Sequence, residues 1–143
     1  MNIIPYAGPT EIFCIGLGPG ELLWESIEAA CREKDIRFGV VVSGIAALKR
    51  ACLHHIEHTR FPPSDITFTI DKPLELLSIS GMIVEHFPHL HVALSSGAGE
   101  TYGGHLEKGS IVAYLSEIVI MKFSTAFLRR EFQEDLKISL LKG

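Results

Sequence analysis

Basic residues are scarce in this chain: 13 lysines and arginines stand against 17 acidic residues, for a net charge of −4 and a pI near 5.9. Phosphate backbones are gripped by clustered Lys and Arg, so this balance argues against DNA held by general electrostatics. Cysteine is nearly as sparse. Cys14, Cys31 and Cys52 are an odd number, far apart, with no CxxC pair, which excludes a disulfide framework and suits buried thiols in a reducing cytoplasm. Long apolar runs are missing too: no window approaches the ~18 residues of a membrane span. MNIIPYAGPTE has neither the basic start nor the apolar stretch of a signal peptide. A cytoplasmic protein without membrane contact is therefore expected.

Apolar residues are plentiful overall, at 47% of 143 residues with a mean hydropathy of +0.27. That is enough for one domain, residues 1–143, with its own core. The surplus suits a subunit interface, since obligate contacts resemble a core cut in half.

Along the chain, Glu11 to Ile15 reads as a short strand ending at GLGPGE, where Pro19 is pre-set for a first helical turn. Leu22, Leu23, Ile27, Ala30 and Cys31 recur at helical spacing and predict a helix over Glu21 to Lys34. Val40 to Leu48 is rich in β-branched residues and punctuated by glycine, as a bulged strand would be, with a second strand starting near Ala51. His54 to Asp65, HHIEHTRFPPSD, reads as a surface loop. Ile66 to Ile70, Leu74 to Val84, Leu90 to Leu94 and Ile111 to Met121 are separated by turn residues and not by helical patterns, which implies an antiparallel sheet. FLRREFQEDLKISLL fits a hairpin or a helix, because Phe132, Leu136 and Leu140 fall four apart.

The chemistry concentrates in PHLHVALSSGAGETYGGHL, Pro88 to Leu106. Residues two apart on a strand share a face, about 6.5–7 Å apart, so His89 and His91 point the same way. A hairpin centred near Ala98 would place His105 opposite His91. Three imidazoles then converge as ligands for Zn²⁺ or another divalent metal, with a position left for water or substrate. The alternative is that His89 and His91 are partly exposed strand residues and His105 caps a turn, with no metal. His86 lies on the opposite face of an unbroken strand, and Pro88 breaks the register. His54, His55 and His58 form a rival cluster in a loop that lacks a scaffold.

GLGPGELLWESIEAACREKDIRFGVVVSGIAAL, LELLSISGMI and HLHVALSSGAGETYGGHLEKGSIVAYLSEIVI resemble, in order and spacing, the plant and prokaryote conserved (PPC) domain over nearly the whole chain. The resemblance implies an α+β fold: a single compact domain with a largely antiparallel, barrel-like sheet and one main helix packed on it. It also implies a homotrimer and, as in prokaryotic members, a metal site from HxH plus the histidine of GGH, here His89, His91 and His105. Acetolactate decarboxylase, a zinc enzyme, has a similar fold with an HxH pair and a later histidine. Plant relatives bind AT-rich DNA through Arg-Gly-Arg-Pro hooks that this chain lacks, and Ile45-Ala46 replaces the commoner Gly-Ile-Gly pattern.

Three functional classes follow. The first is a metal-binding domain, whose ion would activate water or polarise a carbonyl. A variant of it is a lyase or hydrolase acting on a small carboxylic acid, with Glu21, Arg129 or Arg130 as candidates to bind substrate or move protons. Their plainer roles are a favourable charge in the first helical turn and solvated surface pairs. The second is a DNA-binding or transcription-related module. The third takes GLGPGE as a phosphate cradle, although Glu21 would repel the anion and a strand-to-helix turn explains the glycines.

Overall fold

The computed structural model describes residues 1–97 and 99–143. β1 (Thr10–Leu17) leads through the glycine turn to α1 (Leu23–Glu33), and then come β2 (Phe38–Ile56), β3 (Asp65–Ile70), β4 (Leu74–Val84), β5 (Phe87–Ser96), β6 (Glu100–Leu106) and β7 (Ile111–Phe123). Every pairing among these strands is antiparallel. Ala98, the expected centre of the β5–β6 hairpin, lies outside the described residues, while the flanking pair Ser96 and Glu100 is in register.

The long strand β2 organises the sheet. Its first half, Phe38 to Leu48, pairs with β4, and its far end turns to pair Leu53 with Leu106 and His54 with His105 on β6. Since β4 pairs with β5 and β5 with β6, the four strands close a barrel-like ring, with β7 and then β1 added on the other edge of β2. The sequence suggests two strands here because the apolar alternation breaks. The structure has one strand, with register shifts between Val41 and Ser43, Ala46 and Leu48, and Leu48 and Arg50. Such bulges let a strand bend far enough to close a ring.

The core inside the ring is aliphatic, with Leu48, Leu53, Ile79, Leu90, Leu94, Leu106 and Ile118 each at most 1% exposed. Helix α1 adds Leu23, Trp24, Ile27 and Cys31 to the same cluster, as the 3.6-residue period requires. It begins two residues later than expected, and Pro19 stays in the preceding turn. Gly20 and Leu23 donate to the carbonyls of Val112 and Ser110, and Glu21 accepts from Val112, so this segment is first held as a strand edge.

One alternative left open by the sequence is decided, and one expectation needs correction. The C-terminal segment is a hairpin, β8 (Arg129–Gln133) and β9 (Ile138–Lys142), and not a helix. Phe132 and Leu140 are 51% and 39% exposed, so their fourfold spacing builds no buried face. The thiols also differ from one another: Cys31 is buried, with burial pushing its pKa up to about 12, whereas Cys14 is exposed on β1. No helix among the described residues is long and apolar enough to cross a membrane.

Candidate metal centre

Strand alternation builds the site. On β5, Leu90 and Val92 point into the core while His89 and His91 point out. His91 lies directly opposite His105 on β6, and one ring nitrogen from each of the three histidines falls within 4.8 Å of the others. The Nε2 atoms of His89 and His91 are 3.3 Å apart. Two nitrogens each about 2.0–2.1 Å from a tetrahedral ion sit about 3.3–3.4 Å from one another, so this pair has the span of two ligands. The His105 ring lies 4.7 Å from that of His89 and 5.3 Å from that of His91, centre to centre, and is steeply inclined to both. The set therefore approaches a common point from different directions.

The electrostatics favour unprotonated rings. Burial, followed by the neighbouring His54 and His89, lowers the His105 pKa to about 4. Burial, then Arg130 and His91, lowers that of His89. Metal ligands must be neutral imidazoles, so a metal finds these two already in the required form. Glycines permit the close approach of the strands: a Cβ on Gly104 would lie 2.7 Å from the His54 carbonyl oxygen, and one on Gly81 would lie 1.9 Å from that of His89.

The family model of the Plants and Prokaryotes Conserved (PCC) domain matches residues 5–124. The chain belongs to the PCC domain family. Among solved structures, the metal-containing protein from Archaeoglobus fulgidus is 27% identical, with a TM-score of 0.84 and full coverage of both chains. A candidate DNA-binding protein from Bacteroides thetaiotaomicron is 18% identical, with a TM-score of 0.81 and 96% of each chain covered, a likeness of fold alone. The bifunctional protein GlmU of a Synechococcus strain is 29% identical over 113 residues, or 79% of this chain. The PCC domain chain corresponds to only 17% of the length of that relative.

Around the imidazoles, the other sequence candidates separate. Arg130, which lies beyond the matched span, lines a cleft of about 310 Å³ with Ser80, Gly81, Met82, His89, His91 and Leu141. It is half-buried, and burial lowers its pKa, so it is not the solvated surface group its sequence context suggests. Its neighbour Arg129 faces away, with its guanidinium donating to the Gly143 carbonyl and to Glu131. Glu21 folds back to accept from the Gly18 backbone N–H, completing the glycine turn. His86 has a φ of 66° and bonds Asp35 at 2.8 Å, apart from the three clustered histidines.

The histidine-rich segment is divided in a way the sequence reading missed. His54 and His55 belong to β2, not to a loop. His55 bonds the Ile56 carbonyl and His58 faces Ser64, whereas His54 stacks on His105 with ring centres 4.3 Å apart and bonds the Glu107 carboxylate at 2.6 Å. A signal was available: buried Ala51 and Leu53 continue the alternation of β2, which places His54 on the outward face.

Proposed function

We propose that this protein is a homotrimeric PCC-type domain in the cytoplasm that binds a divalent metal ion, zinc or a similar cation, through His89, His91 and His105. The observation that carries the reading is the 3.3 Å separation of the two Nε2 atoms on β5 with His105 directly across the ladder. Three protein ligands leave a position for water or an oxygen-bearing ligand. When bound, the metal would supply Lewis acidity and a lowered pKa for water. The name of the Archaeoglobus fulgidus relative, a metal-containing protein, supports the same reading.

Arg130 suggests the ligand class. A guanidinium beside a cation site, with no carboxylate among the residues lining that cleft, suits a small carboxylic acid with one oxygen at the metal and another on Arg130. Ile45, Leu77, Tyr114 and Leu115, each 48% exposed or more on β2, β4 and β7, support self-association. DNA binding is the second reading, raised by the fold shared with the Bacteroides thetaiotaomicron protein and opposed by the net charge of −4. Steeply salt-dependent binding of AT-rich duplex would shift the balance toward it.

Native mass spectrometry of untagged protein tests both parts of the proposal. The expected species has three chains of 15.8 kDa and carries metal that is lost on the substitution His91→Ala. A metal-free wild-type trimer would overturn the metal reading, and a lone chain would overturn the assembly.

A further inference from the structure

We infer that the acid held at Arg130 carries an apolar tail, which leaves the cleft between Met82 and Leu141 and lies in a neighbouring cavity bounded by the N-terminal segment. This rests on the reading of Arg130 as a carboxylate-binding group and adds what the rest of the ligand must be. Two walls make the cleft. On one side, β4 and β5 place Met82 opposite His89 and Ser80 opposite His91, so these side chains share the outward face of the sheet. On the other, the C-terminal hairpin pairs Arg130 directly with Leu141, which sets a cation beside an aliphatic side chain on the face that both present to the cleft. Each wall therefore has polar and apolar members. The apolar ones stand together at one end, because Met82 and Leu141 also line a second cavity of about 440 Å³, which His89, His91 and Arg130 do not reach.

That second cavity suits hydrocarbon. Ile4, Tyr6, Phe123 and Phe127 line it, and among the described residues no charged side chain does. The Tyr6 and Phe123 rings lie 5.0 Å apart, centre to centre. Ile4, Met82 and Phe123 pack in turn against buried Phe38, Val84 and Leu128, which fixes the floor of the cavity. A hydrocarbon chain gains free energy by leaving water for such a space, whereas a charge placed there without a partner is penalised. The carboxylate must therefore stay at Arg130 while the tail occupies the cavity, so the ligand lies in one direction only. A dicarboxylic acid would carry its second charge into the apolar end and is rejected on the same ground. Met82 fits the junction, since an unbranched thioether adapts its shape to what passes it.

Calorimetric titration of the full chain with straight-chain acids from acetate to octanoate, on zinc-loaded and on chelator-stripped protein, tests this. From butyrate to octanoate the Kd is expected to fall about fourfold for each added methylene. The slope should appear in both forms, because neither Arg130 nor the cavity needs the ion. Arg130→Gln should weaken acids of every length by a similar factor and keep the slope. Phe127 is 61% exposed, so Phe127→Ser leaves the core intact, and it should weaken octanoate about fivefold or more relative to acetate. Leu141→Trp should narrow the junction and remove the gain beyond butyrate, and succinate should bind no better than acetate. Affinity that is independent of chain length, or a slope that Phe127→Ser and Leu141→Trp both leave intact, overturns the tail site and leaves the Arg130 reading standing. Octanoate that binds the Arg130→Gln chain as tightly as wild type overturns the joint ligand and the carboxylate reading with it. Protein that takes up no zinc yet keeps the slope sustains the tail site and overturns the metal reading alone.

Discussion

Glycines in two regions of this chain, the β1–α1 connection and the strands β4 and β6 around the histidines, do different work. In GLGPGE, Gly16 is a strand residue near the end of β1 while Gly18 and Gly20 make the turn: Gly20 takes a φ of 88°, the Glu21 carboxylate folds onto the Gly18 N–H, and a Cβ on Gly16 or Gly20 would meet nothing within 4 Å. Around the histidines, Gly81 and Gly104 let one backbone lie against another, where a Cβ would strike the carbonyls of His89 and His54. The first segment shapes a connection and the second sets the distances in a site. Glycine beside a polar residue is thus informative only when what its missing side chain would touch is known.

The largest effect should come from filling those spaces. Gly81→Ala and Gly104→Ala are expected to destabilise the protein by about 2 kcal/mol or more, as overpacking against backbone does. Gly16→Ala, with open space around it, should stay within about 0.5 kcal/mol of wild type. Urea unfolding midpoints measure all three, and equal midpoints would erase the contrast between the segments.

A mid-sized effect concerns protons. In metal-free protein the His105 ring should titrate near pH 4 instead of near 6.5, because burial and then the charges of His54 and His89 oppose its protonation. As pH falls from 6.5 to about 4, the unfolded chain takes up a proton that folded His105 refuses, so this group's contribution to stability is present above 6.5 and is lost across that window. Proton NMR of the imidazoles reads the midpoint directly. His54→Ala should raise it, and a midpoint already near 6.5 in wild type would show that the ring is not desolvated.

The smallest effect separates the paired arginines. Arg130→Gln should weaken the binding of acetate to the metal-loaded protein several-fold and raise the pKa of His89, since Arg130 is the second cause of its lowering after burial. Arg129→Gln, whose partners are Gly143 and Glu131, should do neither. Equal responses of the two variants would remove Arg130 from the anion site.

Much of the fold is legible from local pattern, and the places where it is not are instructive. Helix α1 follows from Leu23, Ile27 and Cys31 on one face, and β5 from Leu90 and Val92 alternating with His89 and His91. The single strand β2 is hidden because its bulges interrupt the two-residue period on which strand recognition depends. The same break hides that His54 continues β2, although Ala51 and Leu53, beyond the last register shift, already alternate with it.

The sequence by itself determined that His89 and His91 share a face, that His105 follows a double glycine, and that charge disfavours a nucleic-acid surface, since each depends on neighbours in the chain or on a sum over it. Only the tertiary structure decided that His54 meets His105 and Glu107, and that Arg130 rather than Arg129 lines the cleft. Both depend on how far β2 bends before the ring closes and on where the C-terminal hairpin comes to rest. Those positions minimise the free energy of the whole packed assembly, and no short window of residues encodes them.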